Sequence, residues 1–162
     1  MEYTYYVSSG WFTPEQLKCL KDGYNEGLSI EKYANPLFSP DQMRLVMKGL
    51  REKLNIKYYA NPKFNTDQMR IIICGLRRGK YVLSYALPYF NADQMREILI
   101  GMIEHIDYGI YRSPEFNACQ MKQVRLGLND HVDVSKYADP YKYSAQRMEE
   151  IRLELVSRGT WD

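Results

Sequence analysis

Phe90-Asn91-Ala92-Asp93-Gln94-Met95-Arg96-Glu97-Ile98 decides the fold, because it recurs along the chain. Phe64-Asn65-Thr66-Asp67-Gln68-Met69-Arg70 stands 26 residues earlier, and Phe38-Ser39-Pro40-Asp41-Gln42-Met43-Arg44 another 26 before that. Phe116-Asn117-Ala118-Cys119-Gln120-Met121-Lys122 follows at the same interval. Weaker copies begin at Phe12 and, after one inserted residue, at Tyr143. A fixed short period is the signature of a repeat array. The chain therefore reads as one helical-repeat domain over residues 1–162, with 1–11 as an N-terminal cap and repeats beginning at 12, 38, 64, 90, 116 and 143.

Each copy opens with the chemistry of a helix start. Its second residue is a cap type, Thr13, Ser39, Asn65, Asn91, Asn117 or Ser144, whose side-chain oxygen can accept from free N–H groups of the first turn. Gln16, Gln42, Gln68, Gln94 and Gln120 follow three residues later, the spacing of a capping box. Pro14 and Pro40 fall where a helix lacks an N–H partner in any case. Glu15, Asp41, Asp67 and Asp93 favour the positive end of the helix dipole. The aromatic before the cap and the Leu or Met five residues on, as in Phe64 and Met69, form a hydrophobic staple.

The body of each copy has helical periodicity. Met43, Val46, Leu50 and Leu54 share one stripe, as do Met95, Ile98, Met102 and Ile106. Gly23, Gly49, Gly75, Gly101 and Gly127 recur inside these helices, where Gly costs about 1 kcal/mol against Ala. That cost predicts the close approach of a neighbouring backbone. Gly27 and Gly79 read as C-terminal caps. A second, one-turn helix is expected at 29–36, 55–62, 81–88, 107–114 and 133–140, started by a Ser, Asn or Asp cap and ended by Pro. Its inward residues are Ile30, Ile56, Val82, Tyr108 or Val134 and then Tyr33, Tyr59, Tyr85, Tyr111 or Tyr137. One long and one short helix cannot bury a face alone, so the expected architecture is an all-α solenoid of about six rows, each packed on its neighbours. Trp11, Tyr3, Tyr5, Tyr6 and Trp161 lie outside the pattern and are expected to cover its ends.

Composition excludes several classes. A formal charge of +2 gives no strong whole-molecule pull to nucleic acid or membrane. No apolar run approaches the roughly 20 residues of a membrane span, and the first residues lack the pattern of a secretion signal. Three cysteines without a close pair suit reduced thiols and a cytoplasmic setting.

The motif Gln-Met-x-x-Ile-x-x-Gly-Leu followed by Tyr-Ala-Asn-Pro, cleanest at 93–98 and at Asp133-Val134-Ser135-Lys136-Tyr137-Ala138-Asp139-Pro140, resembles tandem repeats in uncharacterised proteins of gut Firmicutes and their phages and conjugative elements. The resemblance covers about residues 12–159. It implies a phage or mobile-element origin, a bacterial host cell and a binding role. It carries no catalytic residues, and Arg112-Ser113 departs from it.

No triad order, phosphate loop or catalytic carboxylate pair stands out, so no enzyme activity and no cofactor are expected. His105 and His131 share one repeat position and read either as C-cap residues or as a metal pair with Asp107 or Asp133. Cys119 replaces the usual Asp at a helix start, where a thiol pKa tends to fall, yet has no His beside it in sequence.

Charge carries the functional expectation. Residues 44–80 hold ten Lys or Arg against Glu52 and Asp67, a net +8 that leaves −6 to the rest of the chain. Arg44, Lys48 and Arg51 share one helix face opposite the core stripe, Arg70 and Arg77 repeat it, and Arg96 continues it. Asp41, Asp67 and Asp93 can pair with the first-turn arginines at i, i+3. Arg51, Arg77 and Arg78 have no carboxylate at that spacing, so reversing their charge is expected to leave folding intact. Ile100 and Ile103 fall on the same outward phase in the fourth copy, and exposed apolar residues beside arginines suit a protein interface. These nine residues form the expected partner-binding face. Its first partner class is an acidic protein surface, with inhibition of a host defence protein as the sharpest form. The second is nucleic acid or a nucleotide, with Tyr58, Tyr81 and Tyr89 as stacking platforms.

Overall fold

The computed structural model describes residues 3–159. Every regular element among them is helical: α1 (Tyr3–Ser8), α2 (Pro14–Asn25), α3 (Pro40–Arg51), α4 (Thr66–Arg77), α5 (Ala92–Glu104), α6 (Ala118–Asn129) and α7 (Ala145–Arg158). Single 3-10 turns follow α2 to α6, at Ile30–Lys32, Ile56–Tyr58, Val82–Ser84, Tyr108–Ile110 and Val134–Lys136. The chain divides into two compact units, residues 1–88 and 89–162. In the first, α1, α2, α3 and α4 pack in succession; in the second, α5, α6 and α7 do. The fold is thus the all-α solenoid that the repeat predicts.

All six long-helix starts form as expected. Thr13, Ser39, Asn65, Asn91 and Asn117 each accept from the N3 backbone N–H while the Gln at N3 accepts the cap's own N–H. Each Gln also does something the capping box does not require. The Nε2 of Gln42 donates to the carbonyls of Pro62 and Phe64 in the next row, and that of Gln94 to Pro114 and Phe116. One buried amide therefore closes its own helix and holds the following row by its backbone, with donors and acceptor all satisfied. At this position α7 carries Arg147, which pairs with Glu150 instead.

The glycines inside the helices correct the expectation made for them. The atoms nearest to an added Cβ are side-chain atoms of the same repeat. A Cβ on Gly49 would lie 1.6 Å from Tyr59 Oη, and one on Gly75 would lie 1.8 Å from Tyr85 Oη. The glycine is a socket for the tyrosine of its own repeat, ten residues on. The hydroxyls of Tyr59, Tyr85, Tyr111 and Tyr137 donate to the carbonyls of Leu45, Ile71, Glu97 and Gln123, using a second lone pair on the long helix. All five repeat tyrosines are fully buried. Burial pushes their phenols up, that of Tyr137 to about 12, so they stay neutral donors. Tyr33 alone leaves its hydroxyl without a partner.

The short helices are single 3-10 turns, and only Asp107 and Asp133 cap them with a side chain; Ser29 and Asn55 do not. At the end of the long helices, the left-handed position holds Gly27 and Gly79 as expected, and also Lys53 (φ 55°), His105 (φ 60°) and His131 (φ 57°). A side chain in this region costs roughly 1–2 kcal/mol. Lys53→Gly is therefore expected to raise stability by about 1 kcal/mol, read as a higher urea midpoint, and Gly79→Ala to lower it by a similar amount. An unchanged midpoint in both variants would contradict the backbone assignment.

Rows also lock through side chains at the tenth repeat position, counting the aromatic as first. Met47, Ile73 and Leu99 bury apolar groups there. The chemistry changes at α6 and α7. Arg125 takes the position in α6 and binds Glu97 (2.9 Å) and Glu104 (2.8 Å) of α5. Arg152 takes it in α7 and binds Gln123 of α6 and Asp130, the residue that caps α6. At the N-terminal end, Tyr6 packs edge-on to Phe12 and Tyr3 lies beside Tyr24, so α1 covers the first row. Trp11, expected to join that cover, is largely exposed, and Trp161 lies outside the described residues.

Candidate basic interface

The long-helix face of the first unit carries the expected cations, with fewer of them unneutralised than spacing implies. Arg44 pairs with Asp41 and Arg70 with Asp67 within one turn, as anticipated. Arg51 and Arg77 find carboxylates too, and these come from the preceding row. The Arg51 guanidinium grips both oxygens of Glu26 (2.6 and 2.7 Å), and Arg77 grips both of Glu52 (2.7 and 2.5 Å). Hydrogen bonds from the two arginines hold the Glu26 and Glu52 carboxyls below their usual range. Arg78 turns back on its own helix and donates to the Cys74 carbonyl and sulfur. Reversing Arg51 and Arg77 would set glutamate against glutamate, so charge reversal here removes two inter-row ion pairs as well as two cations. The partners lie 25 residues away, a separation that a search within single helices does not reach.

Arg44 and Arg51 do meet. With Lys18, Cys19, Asp22 and Glu26 they line a groove of about 550 Å³ between α2 and α3. Its cations and carboxylates nearly balance. Burial pushes the Cys19 thiol up, which makes it a packing group rather than a nucleophile. In the second unit Arg96 pairs with Asp93, Ile103 is exposed and Ile100 is half-buried.

Positive charge without a carboxylate partner survives elsewhere on the first unit. Lys48 on α3 is exposed and makes no ion pair among the described residues. The same holds for Lys53, Lys57 and Lys63 on the short segment that follows α3. Lys57 Nζ sits 5.5 Å from the centre of the Tyr58 ring. Between Glu52 and Asp93 the only acid is Asp67, already held by Arg70. Repeat translation puts the segments 53–63 and 79–88 on one edge of the unit. Lys53, Lys57 and Lys63 belong to the +8 charge excess of residues 44–80 and lie off the long-helix face.

His105 and His131 occupy left-handed C-cap positions, the bland of their two readings. Among the described residues no group of three or more His, Cys, Asp or Glu side chains could hold a metal. Cys119 is exposed at the start of α6. No helix among the described residues is long and apolar enough to cross a membrane. No known protein family, curated protein or solved structure matches the chain.

Proposed function

We propose that the protein is a non-enzymatic binding module for an acidic protein surface. The observation that carries this reading is the sorting of charge in the first unit. Arg51 and Arg77 hold rows together and Arg44 and Arg70 pair within their own helices, whereas Lys53, Lys57 and Lys63 are exposed and make no ion pair among the described residues. A lysine costs little to leave solvated and gains when a carboxylate arrives, while complementary charge mainly speeds association and selects the partner. The repeat resemblance gives this reading its specific form, an inhibitor of a host defence protein encoded by a phage or mobile element and acting in the bacterial cytoplasm.

The test is capture from a bacterial lysate on the immobilised full chain, with and without nuclease. An acidic protein is expected to be retained after nuclease treatment, and Lys57→Glu with Lys63→Glu to abolish its retention while the helical circular dichroism spectrum is unchanged. Nucleic-acid binding is the competing outcome. It would appear as retention lost to nuclease and as an affinity falling steeply with salt, because neutralised phosphates release counterions.

A further inference from the structure

The third row breaks the repeat on this same edge, and breaks it in one direction. Tyr81 stands where the other rows carry Ser29, Asn55, Asp107 and Asp133. Leu83 stands where they carry Glu31, Lys57, Gly109 and Ser135, and Leu87 where they carry Asn35, Asn61, Ser113 and Asp139. Three polar positions have become large and apolar together. Tyr81 is 66% exposed and Leu83 46%, so the core does not account for these two, and Leu87 beside them is half-buried.

The change at Leu87 has a structural cost. Asn35, Asn61 and Asp139 accept a hydrogen bond from the backbone N–H two residues on, at 2.9, 3.0 and 3.0 Å, closing the turn after the short helix. Leucine has no oxygen to offer. The third row thus gives up a local turn bond and gains solvent-facing hydrocarbon, the reverse of what stability alone favours.

We infer that the edge formed by Tyr81, Leu83 and Leu87, framed by Lys53, Lys57 and Lys63 of the second row, docks a protein segment bearing a large apolar side chain flanked by Asp or Glu. The inference rests on the acidic-partner reading above and specifies it. Charge complementarity selects the occupant: the segments 53–63 and 79–88 contain lysines and no acid. A protein fits better than a nucleic acid because two of the three apolar residues are leucines, which offer a base no aromatic face to stack on. The Arg51 and Arg77 forks are occupied by Glu26 and Glu52, and Arg78 turns back on its own helix to Cys74. Apolar burial at the centre with charged residues at the rim is the ordinary anatomy of a protein interface.

The test uses the full chain as bait for a displayed library of random peptides, followed by fluorescence anisotropy with the enriched peptides. Parent protein is compared with Tyr81→Asn/Leu83→Lys/Leu87→Asn, which installs the second row's own residues and is therefore compatible with the fold. The variant also adds a cation, so a loss of affinity cannot come from weakened charge attraction. Enriched peptides are expected to combine Asp or Glu with Leu, Phe or Trp, and to bind the variant at least about tenfold more weakly, the loss expected when one buried apolar contact is removed. Acidic peptides that bind parent and variant alike would overturn the apolar anchor and leave the acidic-partner reading standing. Enriched peptides without acidic residues, or no enriched peptide alongside tight binding of a single-stranded oligonucleotide, would overturn both.

Discussion

Arg125→Met is expected to lower stability by roughly 3–5 kcal/mol, the cost of stranding a buried charge, and to bring the melting temperature down by about 10 °C or more. The Arg125 side chain is 9% exposed and that of Glu97 14%, so neither charge can turn to water when its partner is lost. Glu104, at 38%, can. The damage is therefore assigned to Glu97, and this assignment predicts a rescue: Glu97→Leu in the Arg125→Met background should recover most of the loss, because the same two positions on consecutive helices α3 and α4 carry Leu45 and Ile73. Apolar replacement of a buried pair is often neutral or stabilising.

A single variant as stable as the parent at pH 7, or a double variant no better than the single, would sink the buried-charge account of this position.

The elements of the fold were legible to a degree unusual for a single sequence, and the reason is redundancy. Cap, capping box, staple and periodicity point to the same boundary in successive copies, so an error at one position is corrected by the others. What escaped were interactions between copies. Gln42 has the spacing of a capping box, and nothing in that spacing says that its Nε2 reaches Pro62 and Phe64. Arg51 has no carboxylate within its helix, yet Glu26 is brought to it by stacking. Nothing in the spacing around Arg125 and Arg152 marks the carboxylates, Glu97 and Asp130, that packing sets opposite them. The ion pairs of Arg51 and Arg77 within the candidate face were hidden for the same cause. Counting cations along helices finds where charge is dense, whereas an interface needs charge left over once the rows have paired.

Gly49→Ala is expected to destabilise by roughly 2–3 kcal/mol although alanine is the better helix former by about 1 kcal/mol, because overpacking outweighs propensity here. The new Cβ would lie 1.6 Å from Tyr59 Oη, 2.9 Å from its Cζ and 3.2 Å from the Ile56 methyl. Tyr59 is fully buried and its hydroxyl is held by the Leu45 carbonyl at 3.3 Å, so the ring has no empty space to swing into. The double variant identifies which contact matters. Tyr59→Phe alone should cost about 1 kcal/mol, the worth of one hydrogen bond. Combined with Gly49→Ala it removes the atom that clashes, so the pair should be less damaging than the sum of the singles by at least about 1 kcal/mol. Tyr33→Phe provides the contrast: its hydroxyl already lacks a partner, so losing it should be neutral or slightly stabilising. Additive costs for Gly49→Ala and Tyr59→Phe would mean that the glycine serves something other than the tyrosine socket, and the five-fold recurrence of the Gly–Tyr pair would need another explanation.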